Sequence, residues 1–172
     1  DCYVLELSSF QLETTGSLRP KVAAILNISD DHMDRYDSKR AYVSAKQRIY
    51  KSSENAVFNR ADALTVPDLE ADVGFSWSFG LDKPCKQGVG LGVYENSPAL
   101  FIGERFLLDI ADVRLPGKHN LENVAAALAI AQAAGWSLSD CIAAIKTFKG
   151  LPHRCEWVME KHGVQFYNDS KG

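Results

Sequence analysis

"VLELSSFQLE", residues 4–13, begins as an apolar run and turns polar within a few positions. Tyr3, Val4, Leu5 and Leu7 suit a strand covered on both faces, yet Glu6 sits inside the run. A charge there is costly unless a cation or metal partners it. In open α/β sheets, ligands gather beyond the carboxyl ends of strands. Glu6 is therefore either a solvated strand-end residue or a carboxylate that holds a ligand, and a strand is expected over residues 1–7.

The rest of the chain repeats this alternation. After a short helical or irregular segment at 8–15, Pro20 precedes "VAAILNI" (22–28), a second apolar run of strand length. "SDDHMDRY" (29–36) is a second polar cluster placed directly after a strand. A helix is expected over 38–52 and a third strand at "NAVFN" (55–59). Between 60 and 115, short runs broken by Pro and Gly predict antiparallel hairpins rather than further strand–helix units. An alanine-rich helix over 121–134 follows, then one capped by Ser137 with Gly150 just past its end. The last residues read as a hairpin turning at His162-Gly163. This order predicts an α/β fold, a mostly parallel sheet flanked by helices with an antiparallel appendage. Gly150 and Pro152 bracket the expected boundary, which gives one domain over 1–150 and the first hairpin of another over 151–172.

Composition narrows the function classes. Hydrophobic residues make up 46% and charged residues 24%, a globular mixture, and the net charge of −3 comes without any Lys/Arg block that would suit nucleic acid. No apolar stretch approaches the ~18 residues of a membrane span, and no signal-peptide pattern is visible. The four cysteines are scattered with no C-x-x-C pair, which argues against a zinc ribbon and suggests free thiols in a reducing cytosol. The chain opens in a strand without methionine and stops at "YNDSKG", so it reads as an internal piece of a longer protein.

Several residues suit chemistry. His32 lies among Asp30, Asp31 and Asp34, either as a metal ligand or in a solvated acidic loop. Lys46 is the most informative. At about 100° per residue it falls near the middle of the apolar arc formed by Tyr42, Val43, Ala45, Ile49 and Tyr50, whereas Arg40, Ser44, Gln47, Arg48 and Lys51 fall on the opposite face. A lysine so placed snorkels, pairs with an anion, or is chemically altered. Asn120 is expected to cap the alanine-rich helix with Asn123 in its first turn, either as plain capping or as a site for a polar ligand. His153 and Arg154 at the hinge, and Asp169 and Lys171 after the last strand, are either surface polar residues or lining of an interdomain cleft. "GVGLGV" has glycines at 88, 90 and 92, which match no phosphate-binding spacing and predict a hairpin.

Four segments in this order, "LELSSFQLE", "DHMDRY" followed by a helix-borne lysine, "GKHNLEN", and "GLPHRCE" leading to "NDSKG", resemble the Mur ligases, ATP-dependent amide-forming enzymes of peptidoglycan synthesis. "SSFQLE" is similar to the branch that joins D-glutamate to UDP-N-acetylmuramoyl-L-alanine. The resemblance implies that residues 1–150 are the family's central ATP-binding domain. It implies that Glu6 and His32 ligate two Mg²⁺ ions, and that Lys46 is a carbamylated lysine helping to place the second. Ser8 and Gln11 would contact the muramoyl substrate, while Asn120, Asn123, Arg154, Asp169 and Lys171 would bind ATP. The family's phosphate loop, G-x-x-G-K-[ST], is absent and would lie upstream of Asp1, so this polypeptide alone is expected to be inactive. Two alternatives stand beside this reading: a folylpolyglutamate-synthase-like ligase, and a non-catalytic nucleotide-binding module.

Overall fold

A computed structural model describes residues 2–29, 34–68, 71–154 and 156–171. Six strands form one sheet in chain order: β1 (Val22–Ile25), β2 (Asn55–Asn59), β3 (Phe75–Phe79), β4 (Gly88–Tyr94), β5 (Ser97–Ile102) and β6 (Arg105–Asp109). The first four are parallel, and β5 is antiparallel to both of its neighbours, β4 and β6. The helices are α1 (Ser9–Thr14), α2 (Lys39–Gln47), α3 (Lys118–Ala134) and α4 (Leu138–Thr147). A separate two-stranded sheet, β7 (Glu156–Lys161) with β8 (Val164–Asn168), turns at His162 and Gly163, both with positive φ. The anticipated fold class is thus present.

Strand alternation builds two cores. Ala56 and Val57, neighbours on β2, are both fully buried but belong to different clusters. Val57 joins Phe79, Val89, Leu100 and Leu108 beneath α3, whose Ala125, Leu128 and Ala129 are also fully buried. Ala56 joins Ala23 and Ile25 against Tyr42, Ala45 and Tyr50 from the α2 region. Alanine combines the best helix propensity with a small side chain, so α3 packs close to the sheet. Gly135 ends it in the left-handed conformation, φ 73°, its N–H donating to Ala131 O.

The structure departs from the sequence reading in four places. Residues 2–8 form no strand, and Tyr3 and Val4 are 85% and 87% exposed. A strand needs a hydrogen-bonded neighbour and a covered face; among the described residues, no backbone hydrogen bond joins this segment to the edge strand β1. Second, β3 runs parallel to β2 and β4 instead of forming a hairpin. Parallel neighbours usually need a crossover of a dozen residues or more. Here β3 and β4 overlap at only two pairs, Ser78 with Gly88 and Phe79 with Val89, so residues 80–87 suffice for the return. That connection lies so close over β4 that a Cβ on Gly90 would come within 2.6 Å of Pro84 backbone atoms, which is what the glycine-rich run permits. Arg60 clasps the same seam, donating to Ser78 Oγ (3.0 Å), Val89 O (3.0 Å) and the Asp82 carboxylate, whose pKa it holds below the ordinary range. The glycine-rich run otherwise pairs antiparallel with β5, as anticipated.

Third, α2 is shorter than expected and tightens into a 3₁₀ turn over Arg48–Tyr50. Gln47, assigned to the solvent face, is buried, and its amide donates to Leu64 O (2.7 Å) and Val66 O (2.9 Å). Fourth, α3 starts at Lys118 with Gly117 (φ 95°) as its cap, so Asn120 is inside the helix rather than capping it.

Tyr50 locks the second core. It is fully buried, with its hydroxyl 3.0 Å from Val57 O and 2.8 Å from Thr65 O, and burial pushes its pKa well above the ordinary 10.0. Its neutral form therefore stabilises the fold fully below pH 10, and that contribution is lost as pH rises further. Tyr50→Phe in the full-length protein should cost about 1–2 kcal/mol at pH 7. Thermal melts should show the gap to wild type narrowing at pH about 11; an equal gap at both pH values would contradict the assignment.

Candidate nucleotide and substrate site

α1 begins with a capping box that the S-x-x-Q spacing of Ser8 and Gln11 encodes. Gln11 N–H donates to Ser8 Oγ (3.3 Å), and Ser8 N–H donates to Gln11 Oε1 (2.8 Å). Sequence reasoning assigned both residues to substrate and missed this local function. Both side chains remain exposed. At the other end of α1, Arg48 Nε donates to Leu12 O (2.8 Å) and Nη2 to Glu13 O (3.2 Å). Nothing in the sequence pattern singled out Arg48.

Glu6 is exposed, just before α1. His32 lies outside the described residues. Lys46 is half-buried on α2, as its helical position anticipates, with Nζ 5.1 Å from the centre of the buried Tyr42 ring. That ring lies 5.3 Å from Tyr36, which in turn stacks parallel to Phe10 of α1 at 6.0 Å. A ladder of rings therefore connects the Lys46 amine to the "SSFQLE" helix.

On α3, the Asn120 amide donates to Pro116 O (2.7 Å), fixing the approach to the helix. Asn123 is exposed one turn further on and makes no side-chain hydrogen bond among the described residues. Gly117 supplies no side-chain cap, so first-turn N–H groups keep their affinity for negative or polar groups.

His153 ties the start of β7 to the segment after β8. Its N–H donates to Glu156 Oε2 (2.9 Å), its Nδ1 lies 2.8 Å from Asn168 Nδ2, and its carbonyl accepts from Lys171 N–H (3.0 Å). The adjoining Ser170 N–H donates to Asn168 Oδ1 (3.3 Å). These links draw Arg154 toward the segment bearing Asp169 and Lys171, three residues that sequence alone placed seventeen positions or fewer apart without joining them. Asn168 is a second organising residue that the sequence reading passed over.

Mg²⁺ prefers one or two carboxylates completed by phosphates and water to a protein-only cage. Among the described residues, Glu6 offers an accessible carboxylate suited to that mode. Among them, Cys2, Cys85 and Cys141 are free thiols, and no helix is long and apolar enough to cross a membrane.

Residues 1–131 match the family model of the Mur ligase middle domain. The chain belongs to the Mur ligase family. It is 47% identical over 171 residues to the UDP-N-acetylmuramoylalanine--D-glutamate ligase of Pseudomonas aeruginosa, covering 99% of this chain and 38% of that protein. The chain thus spans under two fifths of such a relative. Among solved structures it resembles MurF from Acinetobacter baumannii, with 26% identity, a TM-score of 0.66, and coverage of 88% of this chain and 34% of that one. It also shares its fold with a bifunctional folylpolyglutamate synthase/dihydrofolate synthase solved with Mn, AMPPNP and L-glutamate. That match has 24% identity, a TM-score of 0.57, and coverage of 81% and 32%.

The His153 to Asn168 link, which lies beyond the matched residues 1–131, carries a test of its own. Asn168→Leu in the full-length protein should weaken ADP binding about three- to tenfold, the loss of one or two hydrogen bonds. Calorimetric titration would measure it, and unchanged affinity would mean that the link does not organise a nucleotide site.

Proposed function

We propose that this chain is the central part of an ATP-dependent ligase that adds D-glutamate to UDP-N-acetylmuramoyl-L-alanine in peptidoglycan synthesis. The observation that carries this reading is the 47% identity, sustained over 99% of the chain, to a ligase named for that reaction. The folylpolyglutamate synthase shares the fold at 24% identity, so fold alone does not separate the two branches. On this reading the protein works in the cytosol, where its scattered thiols stay reduced, and residues 151–172 open a further domain.

The proposed reaction has two steps. The terminal carboxylate of UDP-N-acetylmuramoyl-L-alanine takes the γ-phosphoryl group of ATP, breaking the β–γ phosphoanhydride bond and releasing ADP. The amine of D-glutamate then attacks the acyl carbonyl and loses a proton as the amide forms and phosphate leaves. Catalysis of such a transfer rests mainly on positioning and charge neutralisation. Magnesium, when bound, neutralises the phosphate charge, with Glu6, His32 and a carbamylated Lys46 as the residues that would hold it. Arg154, Asp169 and Lys171, drawn together by His153, and the α3 residues Asn120 and Asn123 would orient the nucleotide. Ser8 and Gln11 offer neutral donors and acceptors suited to an acetamido sugar with its lactyl-alanine.

The placement of Lys46 supports its part. Its side chain is half-buried on α2 with the amine against the Tyr42 ring, and the carbamate would form at that amine. The resulting carbamate, being anionic, would turn away from the negative ring face. In the full-length enzyme, Lys46→Ala should abolish ligation, and acetate should partly restore it by replacing the carbamate. Full activity in that variant would overturn the assignment. Gln11→Ala should raise the KM for UDP-N-acetylmuramoyl-L-alanine about tenfold and leave the KM for ATP nearly unchanged. Joint rises in both constants would show that Gln11 serves only its capping box. If the wild-type enzyme ligates folates instead, the branch assignment fails.

A further inference from the structure

α1 has only six residues, whereas helices shorter than about 12 residues are marginal by themselves in water. The Ser8 and Gln11 box holds only its first turn. Its last turn is held from outside by Arg48, whose guanidinium meets two successive carbonyls, Leu12 O and Glu13 O. A planar guanidinium reaches two acceptors at once in a way that an ammonium does not. Arg48 stands two residues after Lys46, where α2 gives way to the 3₁₀ turn. Because its acceptors are backbone atoms, the tie fixes the path of α1 itself rather than one side chain.

We infer that Arg48 is a positioning residue for the ligation: a strut between α2 and α1 that sets Ser8 and Gln11 at a fixed distance from Lys46. The inference rests on the substrate role proposed above for Ser8 and Gln11. Two further observations support it. The cavity beside Arg48, bounded by Leu12, Gly16, Leu18 and Ile49, holds only about 50 Å³, far below the roughly 300 Å³ of a small-molecule site. Arg48 there braces the chain rather than receiving a ligand. The second tie to α1, Arg35 Nη2 to Glu13 Oε2 at 3.3 Å, has its arginine 59% exposed, and such surface pairs contribute little. Within the turn Thr15 N–H donates to Leu12 O (3.3 Å) and its hydroxyl to Gln11 O (2.7 Å), so Arg48 adds the backbone tie to α2, beside the buried Leu12.

Steady-state kinetics of the full-length enzyme test this with Arg48→Met, Arg48→Lys, Gln11→Ala and the Arg48→Met/Gln11→Ala double variant. Arg48→Met should raise the KM for UDP-N-acetylmuramoyl-L-alanine about tenfold, the loss of two hydrogen bonds. The KM for ATP should stay within about twofold, and Arg48→Lys should fall between wild type and Arg48→Met. The double variant should be no worse than the poorer single one, because residues that act as a unit are non-additive. An unchanged KM, two effects that multiply, or parallel rises for both substrates with a lowered melting temperature would each overturn the inference. If Arg48→Met does not fold, the lysine variant decides by the same KM pattern. Failure of the functional reading is separate: it appears in the wild-type enzyme as absence of D-glutamate ligation.

Discussion

The close packing of α3 on the sheet is the constraint from which the rest follows. Ala125, Leu128 and Ala129 are fully buried against Val57, Phe79, Val89 and Leu100, and only small side chains at the alanine positions let the helix settle that near. Its axis then fixes where its first turn emerges, and with it Asn120 and Asn123. The same packing obliges β2 to face two cores at once. Ala56 thus meets the α2 region, and the height of α2 over the sheet sets where Lys46 stands.

Much of this was legible in the residues. The position of Lys46 on an apolar arc, the glycine-rich hairpin, the Ser137 cap and the final turn at His162-Gly163 all follow from local periodicity and turn chemistry, and the structure contains them. What escaped was set by neighbours distant in sequence. The run at 3–7 has the composition of a strand but no backbone partner among the described residues, and composition does not reveal that. Gln47 looked solvent-facing on an ideal helix. Its burial depends on the carbonyls of Leu64 and Val66, which lie beyond any helical window.

The candidate site shows the same division. Residue types named the plausible ligands, but not the residues that hold them still. His153 joins the start of β7 to the segment after β8 through its own backbone and ring, and Arg48 fastens α1 through two backbone carbonyls; neither arrangement carries a sequence signature. Ser8 and Gln11 show the converse: a local signal, the capping box, was present and was passed over for a more distant role. The two roles are compatible, since a capped helix presents its exposed side chains in one orientation.

The seam between β3 and β4 has a consequence of another kind. Within the sheet, among the described residues, two residue pairs and the Arg60 clasp join β3 to β4, while α3 packs across both halves. The outer strands β5 and β6 are built on β4 by hairpin pairing that makes no demand on β1 or β2. The β5 to β6 turn is tied to the β3–β4 connection, Gly103 N–H donating to Cys85 O (2.8 Å), whereas lengthening the β4 to β5 turn at Glu95 and Asn96 would leave the parallel strands in register. This corner of the fold is free to vary in length over evolutionary time while the chemistry stays where it is.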